Sequence, residues 1–290
     1  MPSPLRFVEL TPLLRRLVPE PLAPVVVLVS HLGDPFFLLG LLVLVYWFGD
    51  RDAGIRLLGL GLASFGFVLA AKHLLAVPRP TVGPPVPVES VPWLLRPSYE
   101  VATGGTSSAV PSGHALASTV VYGGLAARRS VRDRLGAGRV AVTAAGLVVA
   151  VCLVRVYLGA HYAGDVVAGV VLGLALLAAT RRLLTPRRPV VTLWVAAGFG
   201  TVAAGLSPTE TEALAVFGGT LGATVAWSTV AVPRDSWPRS LAVVGPVAAA
   251  GLVCVAGAAV LFVFQSPLVV VLAAAVGLGT VVAVPALRLR

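Results

Sequence analysis

The chain has 290 residues, of which 57% are hydrophobic and 12% charged, and its mean hydropathy is +0.94. A soluble globular domain carries roughly 25% charged residues, so this composition excludes a soluble enzyme. The apolar residues form runs of about 20, the length that a helix needs to cross a bilayer, rather than the alternating pattern of a transmembrane barrel. The sequence therefore predicts an all-α polytopic membrane protein.

A net charge of +10 would suggest a nucleic-acid partner in a soluble chain. Here the arginines cluster at the ends of apolar runs, where they report first on membrane topology. No stripe of aromatic and basic residues accompanies them, so we expect no nucleic-acid binding.

The first 21 residues mix leucines with charged residues such as Arg6, Arg15 and Arg16, which predicts an interfacial amphipathic segment rather than a signal peptide. Apolar runs of spanning length follow near residues 25–49, 54–76, 112–128, 139–158, 162–184, 190–206, 211–232, 240–264 and 267–287. The helix-breaking Gly33-Asp34-Pro35 falls in the first run, so the number of spans is nine, or eight if that run is only interfacial.

One connection between the predicted spans differs from the others. Residues 77–110 contain seven prolines and the interface-favouring Trp93 and Tyr99. On length alone this segment is equally well a simple connector or an ordered functional loop. It lies within a predicted membrane core of residues 22–206. Residues 207–290 are predicted to add further transmembrane helices, for which scaffold or an oligomer surface is favoured over a second function.

The basic residues predict the orientation of the chain. If the turn that holds Arg51 and Arg56 is cytoplasmic, fifteen of the 22 basic residues share that side. The C-terminus is then cytoplasmic and the 77–110 loop is extracytoplasmic.

Ionisable residues near apolar spans are costly and therefore mark candidate functional sites. Lys72 and Arg79 stand on either side of a predicted helix end, because Pro78 and Pro80 unwind the chain after about Ala76. Two snorkelling cations are the plain alternative. Against it, the chain has 21 arginines and this single lysine, which suggests that a compact ammonium is needed at position 72.

Two further segments also contain ionisable residues near apolar spans and are therefore candidate functional sites. In Pro111-Ser112-Gly113-His114, Ser112 is a good helix N-cap, and the free N–H groups of a new helix favour a phosphate. In the second segment, Arg155 precedes His161 and Asp165, which are four residues apart and so share one helix face. Such a carboxylate can orient the imidazole and leave its other nitrogen nucleophilic.

Taken together, K-x-x-x-x-x-x-R-P at 72–80, P-S-G-H at 111–114 and R-x-x-x-x-x-H-x-x-x-D at 155–165 resemble the three signature motifs of the type-2 phosphatidic acid phosphatase superfamily, in order and in spacing. The resemblance implies a six-helix core, here followed by about three extra C-terminal transmembrane helices. It departs at one position, because Val154 stands where the family usually has serine. A hydroxyl contact to the phosphate is then lost or supplied elsewhere.

The resemblance implies a phosphohistidine mechanism. His161, oriented by Asp165, attacks phosphorus, while His114 acts as acid and then as base. The phosphate is bound by Lys72, Arg79, Ser112, Gly113 and Arg155. No carboxylate cluster for a divalent ion accompanies the motifs, so neither a metal nor another cofactor is implied.

The expected partner is a lipid phosphate in the membrane: a phosphatidate-like or phosphatidylglycerophosphate-like lipid, or a polyprenyl phosphate or diphosphate. Trp93-Leu94-Leu95 is predicted to cover its headgroup. Arg96 is a further candidate contact, although an ordinary interfacial arginine is the favoured interpretation. A lipid phosphotransferase and, less favourably, a transporter remain alternatives. The related haloperoxidases are soluble. The sequence leaves the oligomeric state open.

Overall fold

The computed structural model describes residues 7–105, 107–183, 189–229 and 266–283, and these residues form helices and loops with no β-strand among them. This confirms the all-α prediction. The helices are α1 (Leu10–Leu17), α2 (Ala23–Ser30), α3 (Pro35–Phe48), α4 (Arg51–Leu75), α5 (Arg96–Thr103), α6 (Gly113–Ala126), α7 (Arg129–Leu135), α8 (Ala137–Tyr157), α9 (Ala163–Leu183), α10 (Val191–Leu206), α11 (Thr211–Thr229) and α12 (Pro267–Ala283). Short 3-10 turns occupy Glu20–Leu22, His31–Gly33, Val88–Ser90 and Trp93–Leu95.

Three of the described helices are long and apolar enough to cross a membrane: α4, α8, and α9 over Ala163–Arg181. A fourth candidate is the pair Glu20–Gly33 and Pro35–Phe48, which bends by 49°. The bend lies at Gly33-Asp34-Pro35, so the predicted break in the first run is confirmed. These helices support association with a membrane.

The number of helices that meet this criterion is smaller than the nine spans predicted from the sequence. The helix in the predicted span 112–128 is α6, with 14 residues. At 1.5 Å per residue it is about 21 Å long, short of the ~30 Å hydrocarbon core. Hydropathy runs include apolar residues of turns, which is why they overstate helix length. The predicted span 240–264 and the C-terminal Arg288 and Arg290 lie outside the described residues.

The chain divides into two compact units, of which the first comprises Met1–Leu38 and Ala71–Ala178. In it, Ala115 of α6, Val156 of α8 and Val166 of α9 pack together in one buried apolar cluster. These contacts hold the beginning of α6, the end of α8 and the beginning of α9 side by side. All eight residues predicted for the site belong to this unit.

The described residues of the 77–110 loop pack within the first unit. Its Val86, Val91 and Tyr99 are buried in a cluster with residues of α2 and α8. The Tyr99 hydroxyl donates to the carbonyl of Val86 (2.7 Å) and accepts from the same residue's N–H (3.1 Å). The loop is therefore fixed by its own apolar residues. Trp93 and Leu94, the predicted headgroup cover, are 77% and 70% exposed.

Helix α1 corresponds to the predicted amphipathic segment and carries one arginine that contacts the first unit's loops. Arg15 donates from Nε to the carbonyl of Tyr157 (3.1 Å) and from Nη2 to that of Gly83 (2.6 Å). This side chain thus joins α1, the 77–110 loop and the end of α8.

The second unit comprises Leu39–Ala70 and Ala179–Arg290. Tyr46 and Trp47 donate hydrogen bonds from their side chains to carbonyls of α12. Gly218 and Gly222 of α11 lie against the α12 backbone, where a side chain would not fit. Such small residues suit close packing of apolar helices, and we assign no chemistry to this unit.

Candidate active site at four helix ends

The end of α4 brings two cations onto one hydroxyl. Lys72 lies in the last turn of α4, and Arg79 follows after the proline-rich unwinding. Lys72 Nζ lies 3.3 Å and Arg79 Nη2 3.0 Å from the hydroxyl oxygen of Ser107. Arg79 Nε also donates to the Ser107 carbonyl at 2.7 Å. Lys72 and Arg79, which are seven residues apart in the sequence, therefore meet at the same hydroxyl group.

Gly105 makes room for this arrangement. A Cβ atom added at Gly105 would overlap the guanidinium group of Arg79. A side chain at this position would displace the movable end of Arg79 and disturb its hydrogen bonds to Ser107 and Ala160. Glycine thus leaves room for Arg79 to reach these partners.

The beginning of α6 places Ser112 and His114. Ser112 occupies the N-cap position and is buried, but its side chain makes no capping hydrogen bond, which differs from the expectation for this residue. Its backbone N–H instead donates to the carbonyl of Asp165 at 3.0 Å. Gly113 is the first residue of α6 and His114 the second. This hydrogen bond joins the 111–114 segment directly to the 155–165 segment. The Ser112 hydroxyl is left available to bind a ligand.

The end of α8 turns the chain back over Arg155. Gly159 has a φ of +75°, a conformation that favours glycine, and ends the helix. The N–H groups of Ala160 and His161 then donate to the Arg155 carbonyl at 3.2 and 3.3 Å. The turn thereby places His161 beside Arg155, and Arg79 Nη1 reaches the Ala160 carbonyl at 3.3 Å.

Arg155 is buried, with 4% of its surface exposed. Its Nη1 donates to the hydroxyl of Ser30, also buried, at 3.1 Å. A buried guanidinium needs such partners, since burying a charge without hydrogen bonds is costly. Ser30 ends α2, just before the bend at residues 31–34, so this bend contributes to the site.

His161 and Asp165 are both 1% exposed, and His161 Nδ1 lies 3.9 Å from Asp165 Oδ2. The same oxygen accepts the backbone N–H of Tyr162 at 2.9 Å, so Asp165 caps the N-terminus of α9 from within its first turn. The 3.9 Å separation is too long for a hydrogen bond, although it is short enough for the carboxylate to favour one ring orientation.

The cations around His161 act on its protonation. Burial, followed by the positive charges of Arg155, Lys72 and Arg79, holds the pKa of His161 well below its usual range. The ring is therefore neutral at pH 7, as a nucleophile must be.

Three buried polar atoms at this site have no hydrogen-bond partner among the described residues: Ser112 Oγ, Arg155 Nε and His161 Nδ1. Buried polar groups in folded proteins are nearly always satisfied, so each exception needs an explanation. Two of these atoms, Ser112 Oγ and Arg155 Nε, are hydrogen-bond donors, which suit the oxygens of an anion. The arrangement is thus chemically fitted to hold a phosphate group next to an imidazole.

Across the part of the chain that the structure describes, no three His, Cys, Asp or Glu side chains are grouped as a metal site. The Arg96 candidate contact is not supported, because Arg96 donates to the carbonyls of Val91 and Glu89 within its own loop. This arginine braces the loop.

Sequence reasoning missed Ser30, Gly105 and Ser107, each of which contacts a predicted phosphate-binding side chain. Ser107 and Gly105 lie in a stretch of small residues just before the 111–114 segment, and this position could have identified them as candidates. Ser30 had none, because it lies 125 residues from Arg155.

Comparison with known proteins matches residues 53–189 to the PAP2 superfamily. This segment contains all eight predicted site residues. Neither the curated proteins nor the solved structures gave a match.

Proposed function

Because residues 53–189 make this chain a member of the PAP2 superfamily, whose members are generally phosphatases, we propose that it hydrolyses the phosphate ester or diphosphate of a membrane lipid through a phosphohistidine on His161. The observation that carries the proposal is the pair of unsatisfied buried donors, Ser112 Oγ and Arg155 Nε, in the unit that holds His161. A phosphate group would satisfy both donors.

In the first step, the ring nitrogen of His161 that faces away from Asp165 attacks phosphorus in line with the leaving oxygen. A P–N bond forms and the P–O bond to the leaving group breaks, with its electron pair passing to that oxygen. His114, which must take up a proton when the anionic phosphate binds beside it, donates this proton to the departing oxygen. Asp165 stabilises the positive charge that develops on the His161 ring.

In the second step, water attacks the phosphohistidine. His114, now neutral, accepts a proton from the water while the P–N bond breaks and its electrons return to the His161 ring. Inorganic phosphate leaves when the substrate is a monoester, and the site returns to its starting protonation state.

The phosphate oxygens carry the negative charge throughout, so catalysis rests on positioning and electrostatic stabilisation. Lys72, Arg79 and Arg155 supply three positive charges. The Ser112 hydroxyl and the Gly113 N–H, at the beginning of α6, supply neutral donors. These groups take the role that a divalent cation fills in other phosphoryl-transfer enzymes, so we propose no metal requirement.

The position of these residues along the candidate spans supports a lipid substrate. Lys72 and Arg155 lie in the last turns of α4 and α8, and Asp165 lies in the first turn of α9. A phosphate bound there sits at headgroup level while its lipid tail remains in the bilayer. Phosphatidate-like, phosphatidylglycerophosphate-like and polyprenyl phosphates or diphosphates all meet this description.

We propose that the site lies on the extracytoplasmic side of a cell membrane, and the arginine distribution supports this orientation. Helix α7, which joins the opposite ends of α6 and α8, carries Arg129, Arg132 and Arg134. Short basic connections of this kind remain in the cytoplasm.

The test is phosphate release by the detergent-solubilised full chain, with EDTA present, from phosphatidate, phosphatidylglycerophosphate and a polyprenyl diphosphate. Wild-type protein should release phosphate from at least one of them, and His161→Ala should not. The exposed His73 on α4 offers a matched control, and His73→Ala should keep wild-type activity.

Release that persists in His161→Ala would contradict the mechanism. Product that forms only when an alcohol acceptor is added would instead identify a phosphotransferase.

A further inference from the structure

Ser107 lies between the two cations of motif one. Its hydroxyl oxygen is 3.3 Å from Lys72 Nζ and 3.0 Å from Arg79 Nη2, and its carbonyl accepts from Arg79 Nε at 2.7 Å. Three hydrogen bonds thus connect one loop serine to both side chains.

The hydroxyl group of Ser107 has one proton left to donate. A serine hydroxyl offers two lone pairs and one O–H. Lys72 and Arg79 are donors only, so they take the two lone pairs, and the O–H must point in a third direction. Ser107 is exposed, so a group arriving from outside the protein can reach it. An O–H flanked by two positive charges favours an anionic acceptor.

The neighbouring Ser108 stabilises the loop. The Ser108 hydroxyl accepts the Val77 N–H at 2.9 Å and donates to the Val110 carbonyl at 3.3 Å. Both partners are backbone groups, so Ser108 fixes the loop and has no proton to spare. The loop is also held by Ala109, whose N–H donates to the Val77 carbonyl. Ser107 is therefore carried on a fixed segment, as a binding residue should be.

The residue that precedes Arg155 supplies no hydroxyl to the site. Val154, which precedes Arg155, is buried in the apolar cluster with Ala23 and Val27 and offers no polar atom. Ser30 contacts Arg155, but its hydroxyl is buried beneath the guanidinium. Ser107 is the described hydroxyl that is both exposed and bonded to predicted phosphate-binding residues.

We propose that Ser107 is a phosphate-binding residue, which aligns Lys72 and Arg79 through its lone pairs and donates its O–H to the bound phosphate. The proposal rests on the proposed function, because it assigns a further contact within that same site. It applies equally to a lipid phosphate and to free phosphate, since both present the same oxygens.

The test compares wild type, Ser107→Ala and Ser107→Thr in the full chain. Orthovanadate binding is measured as a shift in the thermal unfolding temperature, and kcat and KM are measured with the substrate that wild type accepts. Ser90→Ala is the matched control, because Ser90 lies in the same loop and its hydroxyl donates to the Pro87 carbonyl.

We expect Ser107→Ala to weaken orthovanadate binding and kcat/KM by about 10-fold, as for a hydrogen bond to a charged group. Ser107→Thr, which keeps the hydroxyl, should stay within about threefold of wild type. Ser90→Ala should match wild type in both measurements. A role confined to folding would lower the unfolding temperature without changing the dissociation constant.

Orthovanadate binding by Ser107→Ala equal to wild type would overturn the assignment and leave the proposed function standing. A loss of binding that Ser107→Thr does not restore would also overturn it. A wild-type protein that neither binds orthovanadate nor releases phosphate would remove the proposed function and this assignment together.

Discussion

His161 and Asp165 face each other one helical turn apart, with 3.9 Å between Nδ1 and Oδ2, while the same carboxylate oxygen accepts the Tyr162 N–H at 2.9 Å. The carboxylate is thus fixed by the helix that it caps and cannot follow the imidazole freely. We expect the hydrogen bond to tighten when phosphate binds, as catalytic contacts often do.

Asp165→Asn should lower kcat by about 100- to 10,000-fold. The amide can still accept the Tyr162 N–H, but it carries no charge to stabilise the imidazolium. Orthovanadate affinity should stay within about threefold of wild type, because the cations are untouched. Asp133→Asn, at an exposed carboxylate on α7, provides the control. A kcat equal to wild type would remove Asp165 from the mechanism.

His114→Ala should separate the two chemical steps. With p-nitrophenyl phosphate, whose leaving group needs no protonation, phosphorylation of His161 proceeds and hydrolysis of the phosphoenzyme slows. We expect a burst of about one p-nitrophenolate per protein chain, followed by turnover reduced about 100-fold or more. Rapid-mixing absorbance measures the burst, and adding His161→Ala should abolish it. Linear product formation without a burst would contradict the assignment of His114 as the base.

Gly105→Ala should impair the site through Arg79. The added methyl group would overlap the guanidinium, so Arg79 must leave its position beside Ser107 and Ala160. We expect kcat/KM to fall about 10- to 100-fold, the loss of one to two charge-assisted hydrogen bonds. Gly83→Ala is the matched control in the same loop, because nothing lies within 4 Å of its added Cβ. Equal activities of the two variants would show that Arg79 needs no such space.

The pH dependence of kcat/KM should indicate that His161 stays neutral well into the acidic range. Burial and the cations lower its pKa in the folded protein below the value of about 6.5 expected in the unfolded chain. The nucleophile should therefore stay active below pH 6.5. The associated stability is fully present above about pH 6.5 and is lost as the pH falls from that value through the folded pKa, because the unfolded chain binds the proton first.

Two aryl phosphates with different phosphate pKa values would separate titration of the substrate from that of the enzyme. The prediction would be contradicted if kcat/KM fell toward acidic pH with an apparent pKa at or above 6.5 that was the same for both aryl phosphates.

Arg15→Ala should loosen the 77–110 loop. Its hydrogen bonds to the Tyr157 and Gly83 carbonyls involve a charged donor, and such bonds contribute about 1.5–3 kcal/mol each. We expect faster amide hydrogen exchange in peptides from residues 77–95, measured by mass spectrometry. Arg16→Ala, at the exposed neighbour, should leave the exchange unchanged. Identical exchange in both variants would mean that Arg15 does not hold the loop.

The positions of the helix ends around the site could be predicted closely from the sequence. The run near 54–76 corresponds to Arg51–Leu75, that near 139–158 to Ala137–Tyr157, and that near 162–184 to Ala163–Leu183. Proline and glycine end helices through local sterics, which operate within a few residues and are therefore visible in sequence. Whether each helix is long enough to cross the membrane was less predictable, because the predicted span 112–128 contains only the 14-residue helix α6.

The sequence by itself determined the all-α membrane class, the break at Gly33-Asp34-Pro35 and the three motif segments with their candidate residues. Only the tertiary structure decided which hydroxyl meets which cation: Ser107 meets Lys72 and Arg79, and Ser30 meets Arg155 across 125 positions. Helix ends and apolar runs follow from short-range sterics and hydrophobicity. Contacts between distant segments depend instead on how the helices pack, and no local pattern encodes that packing.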